Sequence, residues 1–158
     1  MLHVYLVASK SKDPSTKIGA VLVTDNVLIS EGYNGFCRKV NDSVTSRWIR
    51  PAKYSWAEHG ERNSIYNAAR NGIKTLNSTM YTQGLPCVDC ARSVIQAGIG
   101  KIILHKQWED KFKELTVNGR TWTEDISAEM FKEAGVTVEW LDKQLGVQSL
   151  ISEKVVTV

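Results

Sequence analysis

Only three of the 158 residues are proline and eleven are glycine, which excludes a collagen-like or Pro/Gly-rich low-complexity chain. Three cysteines, an odd number, make a poor disulfide framework. No apolar run approaches the roughly 18–20 residues that span a bilayer. The opening MLHVYLVASKSK lacks the long apolar stretch and small-residue cleavage site of a signal peptide, so a cytoplasmic protein without a membrane partner is expected. No repeat or linker divides the chain. A single domain over 1–158 is expected, with a core at about 9–141 and a tail at 142–158. The net charge of +3 is too slight to demand a nucleic-acid partner. With 42% hydrophobic and 23% charged residues, the composition is that of an ordinary globular protein.

The positive charge is concentrated. Between Phe36 and Trp56, Arg38, Lys39, Arg47, Arg50 and Lys53 face a single acid, Asp42, and the rest of the chain is slightly acidic. Such a stretch is either a solvated loop or a surface that meets phosphate, and charge alone does not choose between them.

Apolar patterning gives a hairpin of strands at 17–24 and 27–32 around Asp25-Asn26, then a loop from Tyr33 to Trp56. A helix over Glu58–Asn71 follows, then strand 78–83, helix 87–97, strand 101–106, a less regular stretch, helix 124–134 and strand 136–141. A short helix over 2–10 leads, and the segment after Asp142 is ambiguous. This alternation implies a three-layer α/β/α domain with a mixed sheet, because helical crossovers join parallel neighbours.

Chemistry gathers at two helix starts. His59-Gly60-Glu61 opens one helix and Pro86-Cys87-Val88-Asp89-Cys90 opens the next. A thioredoxin-like redox pair would follow an early strand, whereas this C-x-x-C lies past mid-chain behind Pro86, so metal is the better reading. One imidazole and two thiolates fill three of the four tetrahedral positions of zinc, which leaves a place for water as catalytic sites do. Cys87 and Cys90, three apart, face one side of a helix whose N-terminal dipole favours thiolate. Glu61 stands two residues from His59, near enough to handle a proton of bound water without being a ligand. A closed structural site completed by His105 is the alternative, but that residue ends a later strand and reads as a strand-edge position. Glu58 and Arg62, at i and i+4, read as a surface salt pair. The order H-x-E … P-C-x-x-C is that of the zinc nucleobase deaminases.

On these motifs, with SKDPSTKIGAVLV, GYNG, HGERNSI, AARNG, PCVDC and QAGIGKIIL, the chain resembles the deoxycytidylate deaminases of the cytidine deaminase superfamily. The resemblance implies a five-stranded mixed sheet, one Zn2+ per subunit, conversion of dCMP to dUMP and ammonia, dCTP and dTTP as effectors, and a homohexamer. By position it implies His59, Cys87 and Cys90 as ligands, Glu61 as proton shuttle and Asn34 at the substrate sugar. Arg47 or Arg50 is then expected at the phosphate. Gly32, Tyr33, Gly35 and Arg70 are expected at a nucleotide or effector site. Gly60 stands where the family usually has alanine, and no second zinc is expected in a loop that holds only Cys37. Alternatives are a tRNA-adenosine-type deaminase, dCTP or a 5-substituted dCMP as substrate, and a non-catalytic zinc-stabilised module.

Overall fold

The computed structural model describes residues 1–116 and 121–158. Its elements in chain order are α1 (Leu2–Ser9), β1 (Gly19–Thr24), β2 (Val27–Tyr33), β3 (Gly35–Phe36), a 3-10 turn (Thr45–Trp48), α2 (Lys53–Trp56) and β4 (Ala57–Glu58). Then come α3 (Gly60–Arg70), β5 (Thr79–Thr82), α4 (Val88–Gln96), β6 (Lys101–His105), α5 (Lys106–Leu115), α6 (Thr121–Glu133), β7 (Thr137–Leu141), β8 (Gln148–Ile151) and β9 (Lys154–Thr157).

Among the described residues the main sheet has five strands in the order β2-β1-β5-β6-β7. β1 runs antiparallel to both β2 and β5, while β5, β6 and β7 are parallel, so the expected mixed sheet is present. The β1–β2 turn is a two-residue hairpin with Asp25 and Asn26 both at positive φ (52° and 62°), the geometry that twists with its strands.

Period-2 alternation sends neighbouring residues to opposite layers. Ala20, Leu22, Met80, Ile102 and Leu104 face α3, α4 and α6 and close over Ala68, Ala91, Val94 and Phe131. Val21 turns the other way, onto Val4 and Val7 of α1. On that side a further cluster joins Tyr5, Trp108, Phe112, Ile151 and Val158. The ambiguous C-terminal segment is thus a hairpin, β8–β9, packed on α5.

The less regular stretch after 106 begins with a helix, α5, because Trp108, Phe112 and Leu115 recur at helical spacing and two of them are buried. His105 does not lie at a sheet edge; β6 is flanked by β5 and β7, and the residue is fully buried. Its Nε2 donates to the Lys143 carbonyl (2.8 Å), which leaves Nδ1 to accept from the Tyr5 hydroxyl at 2.5 Å.

Candidate active site

His59 and Cys87 occupy equivalent places: each is the extended residue immediately before a helix, of α3 and α4 respectively. Cys90 and Glu61 sit in the first turns of those helices. The side-by-side packing of α3 and α4 on one face of the sheet brings the two starts together. His59 Nδ1 lies 3.5 Å from Cys87 Sγ and 3.4 Å from Cys90 Sγ, and the three ligand atoms are within 4.8 Å of one another. Zn–S and Zn–N bonds of about 2.3 and 2.0 Å at tetrahedral angles place nitrogen and sulfur about 3.5 Å apart. The residues present fit a zinc ion.

The thiols divide their ionisation. The Cys90 hydrogen bond lowers the Cys87 pKa to about 3, helped by His59 and opposed by burial. Cys90 is held well above the ordinary thiol value, first by the proton it shares with Cys87 and then by burial. A bound dication would draw off that remaining proton. Arg62 stands close by and is not a surface group. Its guanidinium lies against Glu58 (2.5 Å) and 3.7 Å from Asp89. Burial alone would lower its pKa, but the nearby sulfurs of Cys90 and Cys87 and the Glu58 carboxylate raise it.

Glu61 is buried, and its Oε2 has no hydrogen-bond partner among the described residues. An orphaned buried carboxylate oxygen is costly unless a ligand supplies the missing donor. Glu61 and His59 line a cavity of about 340 Å³. Arg50, Lys53 and Tyr54 line the same cavity, as do Asp13, Thr16, Ile18 and Asn34.

Asp13, in the wall of the same cavity, is fully buried. Its carboxylate accepts from the backbone of Ser15 (2.8 Å) and Thr16 (3.2 Å) and from Asn34 Nδ2 (2.9 Å), and pairs with Lys53 Nζ at 2.6 Å. Asn34 is saturated on its nitrogen, donating also to Thr16 O (2.8 Å), and its Oδ1 accepts from Ile18 N at 2.8 Å. Arg50 is tied only lightly, by Nη2 to the Ser15 hydroxyl at 3.2 Å.

The other sequence candidates lie elsewhere. Arg47 is not in the cavity wall; it lies over the Trp56 ring, 4.0 Å from its centroid, beside the stacked Phe36 and Trp48. Gly32 is a packing position, because a Cβ there would come within 2.2 Å of Ser64 N in α3. Gly35 pairs with Glu58 across β3–β4, Tyr33 is exposed, and Arg70 is exposed at the far end of α3. Gly60 is hemmed in, with Ile18 O only 3.0 Å from where a Cβ would stand.

Asp13, Trp108 and Phe112 also stand in the cavity wall without being singled out by the sequence, and Lys53, one of the five cations of the basic stretch, joins them there. The Asp-Pro-Ser-Thr turn signature and the helical spacing of Trp108 and Phe112 were available signals.

The model of the cytidine and deoxycytidylate deaminase zinc-binding region matches residues 1–106. The chain belongs to that family. It is 38% identical over 138 residues to an uncharacterized deaminase in the luxG 3' region of Aliivibrio fischeri, covering 86% of each chain. It is 35% identical over 146 residues to the deoxycytidylate deaminase of Mus musculus, covering 87% of this chain and 74% of that one. The crystal structure of a cyanophage S-TIM5 dCMP deaminase in complex with dCMP and dUMP superposes with a TM-score of 0.66 at 19% identity, over 89% of this chain and 92% of that one. At that identity the superposition speaks for the cytidine deaminase fold. The family and the His59–Cys87–Cys90 geometry make this chain a zinc-binding deaminase, a hydrolase. No helix among the described residues is long and apolar enough to cross a membrane.

Proposed function

We propose that the chain deaminates dCMP hydrolytically, consuming water and yielding dUMP and ammonia. One observation carries this reading: a single cavity is lined both by a metal-side pair, His59 and Glu61, and by a cationic pair, Arg50 and Lys53. The base then lies at the first and the 5′-phosphate at the second. Lys53 is already neutralised by Asp13, so Arg50, held only by a serine hydroxyl, is the freer of the two to take a phosphate in a charge-assisted bond. Asn34 keeps one lone pair on Oδ1 beyond its Ile18 bond, the valence open to a sugar hydroxyl. The similarity to the murine deoxycytidylate deaminase supports the same substrate.

Zinc, held by His59, Cys87 and Cys90, would supply Lewis acidity that brings the pKa of a water toward about 7. Glu61 takes the proton from the attacking water at its unpartnered Oε2. It delivers that proton to ring N3, then carries the remaining proton from the oxygen added at C4 to the 4-amino nitrogen, so that the C4–N bond breaks with ammonia as leaving group and C4=O forms. Trp108 and Phe112, stacked with ring centroids 4.9 Å apart, close the cavity from the α5 side and limit access of bulk water.

The family resemblance also supports activation by dCTP, inhibition by dTTP, a hexameric assembly and work in the cytoplasm. Leu2 and Leu6, exposed on α1 beside a buried apolar face, suit burial against another subunit. The test is ultraviolet loss of deoxycytidine, dCMP and dCTP, with and without dCTP and dTTP, alongside light scattering. dCMP should exceed deoxycytidine about a hundredfold in kcat/KM, from two contacts of roughly 1.5 kcal/mol each. Equal turnover of the two removes the nucleotide reading.

A further inference from the structure

One buried carboxylate remains without a part in this chemistry. Glu109, in the first turn of α5, is only 3% exposed. Its Oε2 accepts a hydrogen bond from the backbone N–H of Leu85 at 3.2 Å. Its Oε1 has no hydrogen-bond partner among the described residues and faces Lys113 Nζ at 3.2 Å. Burying a carboxylate is costly, and a single amide bond and one exposed lysine are slender compensation.

The place that Glu109 grips explains its presence. Leu85 lies in the turn Gly84-Leu85-Pro86 that delivers Cys87 to the metal site, and both Gly84 and Leu85 line the cavity. The turn is held twice from the same junction: His105 N donates to Gln83 O at 3.0 Å, and Glu109 takes the Leu85 N–H one helical turn later. β6 passes into α5 without a loop, so these two grips have a fixed spacing. The fit leaves no slack, since a Cβ on Gly84 would stand 2.4 Å from the Trp108 ring and 2.6 Å from Glu109 Oε2. A trans peptide carries its N–H and C=O on opposite sides. With the Leu85 N–H turned back to Glu109, the Gly84 carbonyl is turned away from Glu109.

We propose that Glu109 is a positioning residue for the reaction: it locks the Gly84–Leu85 peptide, and through it the approach of Cys87 to the metal site. It touches neither substrate nor metal. The inference rests on the deaminase reading and lies outside residues 1–106, the region shared with the family model.

The test uses the zinc-loaded full chain and its Glu109→Ala, Glu109→Gln, Glu109→Asp and Lys113→Ala variants. Kinetics are measured on dCMP, and the ligand-field spectrum is taken after cobalt replaces zinc. Displacing a group by about 1 Å costs up to a hundredfold in rate. Glu109→Ala should lose about 10- to 100-fold in kcat per bound zinc, with KM changed less than about threefold, and should shift the cobalt–thiolate bands. Glu109→Gln keeps an oxygen at the same reach, and should restore kcat to within about threefold and the spectrum to that of the wild type. Lys113→Ala should leave both unchanged. If Glu109→Ala does not fold, Glu109→Gln must still exceed Glu109→Asp, whose shorter arm keeps the charge but loses the reach. Wild-type kcat in Glu109→Ala, an unshifted spectrum, or Glu109→Gln as impaired as Glu109→Ala would overturn the proposal. Should the wild type not turn over dCMP, the substrate reading fails by itself, and the cobalt spectra, which need no substrate, decide the role of Glu109.

Discussion

The two ends of the cavity are built differently. At the metal end His59, Cys87, Cys90 and Glu61 belong to the first turn of a helix or stand just before it, and those helices are anchored by Ala68, Ala91 and Val94 in the core. At the cationic end Arg50 and Lys53 come from a loop and a four-residue helix. That end is held by one buried ion pair, Asp13–Lys53, and by an aromatic stack, Phe36–Trp48. Under the proposed function, chemistry that tolerates little displacement sits on rigid elements, and recognition of a flexible ligand on adaptable ones.

The sharpest break is at the metal end. His59→Ala or Cys87→Ala should abolish both stoichiometric zinc, measured by atomic emission, and dCMP turnover. Full zinc in either variant would remove that residue from the ligand set. With zinc stripped from the wild type, the lowered pKa of Cys87 keeps a thiolate available down to about pH 3, whereas an ordinary thiol is protonated below about pH 8. Iodoacetamide should therefore modify Cys87 at a similar rate at about pH 5 and about pH 8, read by peptide mass mapping. A tenfold fall per pH unit would contradict the thiolate.

Glu61→Gln comes next. It keeps the zinc and the cavity shape but loses the proton carrier, so kcat should fall roughly 10²- to 10⁴-fold. A third break tests what holds the cationic end. Lys53→Met leaves the fully buried Asp13 without its cation, a change worth about 3–5 kcal/mol of stability by denaturant unfolding. Asp13→Asn together with Lys53→Met should recover much of that loss. The smallest effects separate the two arginines. Arg50→Ala should raise KM for dCMP about tenfold and leave deoxycytidine unaffected. Arg47→Ala should leave KM alone and cost only about 0.5–1 kcal/mol, the worth of its contact with Trp56.

The juxtaposition of His59, Cys87 and Cys90 is legible in the sequence, since each is specified by its type and its spacing from a helix start. The place of Glu61 in the first turn after His59 is legible for the same reason. The basic loop was legible as charge but not as geometry. Five cations lie within twenty-one residues, and only packing separates Arg50 and Lys53 in the cavity wall from Arg47 on an indole ring. Asn34 was found by resemblance, but its amide mostly holds the Asp13–Ile18 segment. Gly32 was singled out for its neighbours in GYNG, whereas its lack of a side chain serves the contact with α3. Helix α5 was missed because it follows β6 directly, with no turn residue to announce it. The hydrophobic spacing of Trp108, Phe112 and Leu115 was the signal present.

Local chemistry thus determined the layer order, the hairpin, the helix starts and the zinc-binding set, because period, turn residues and ligand spacing act over a few residues. Tertiary structure alone decided which loop cation faces the cavity, that α5 and the C-terminal hairpin complete its far side, and that Glu109 grips a turn 24 residues away. Those outcomes depend on long-range contacts, whose cost in chain entropy is met only when the core forms as a whole.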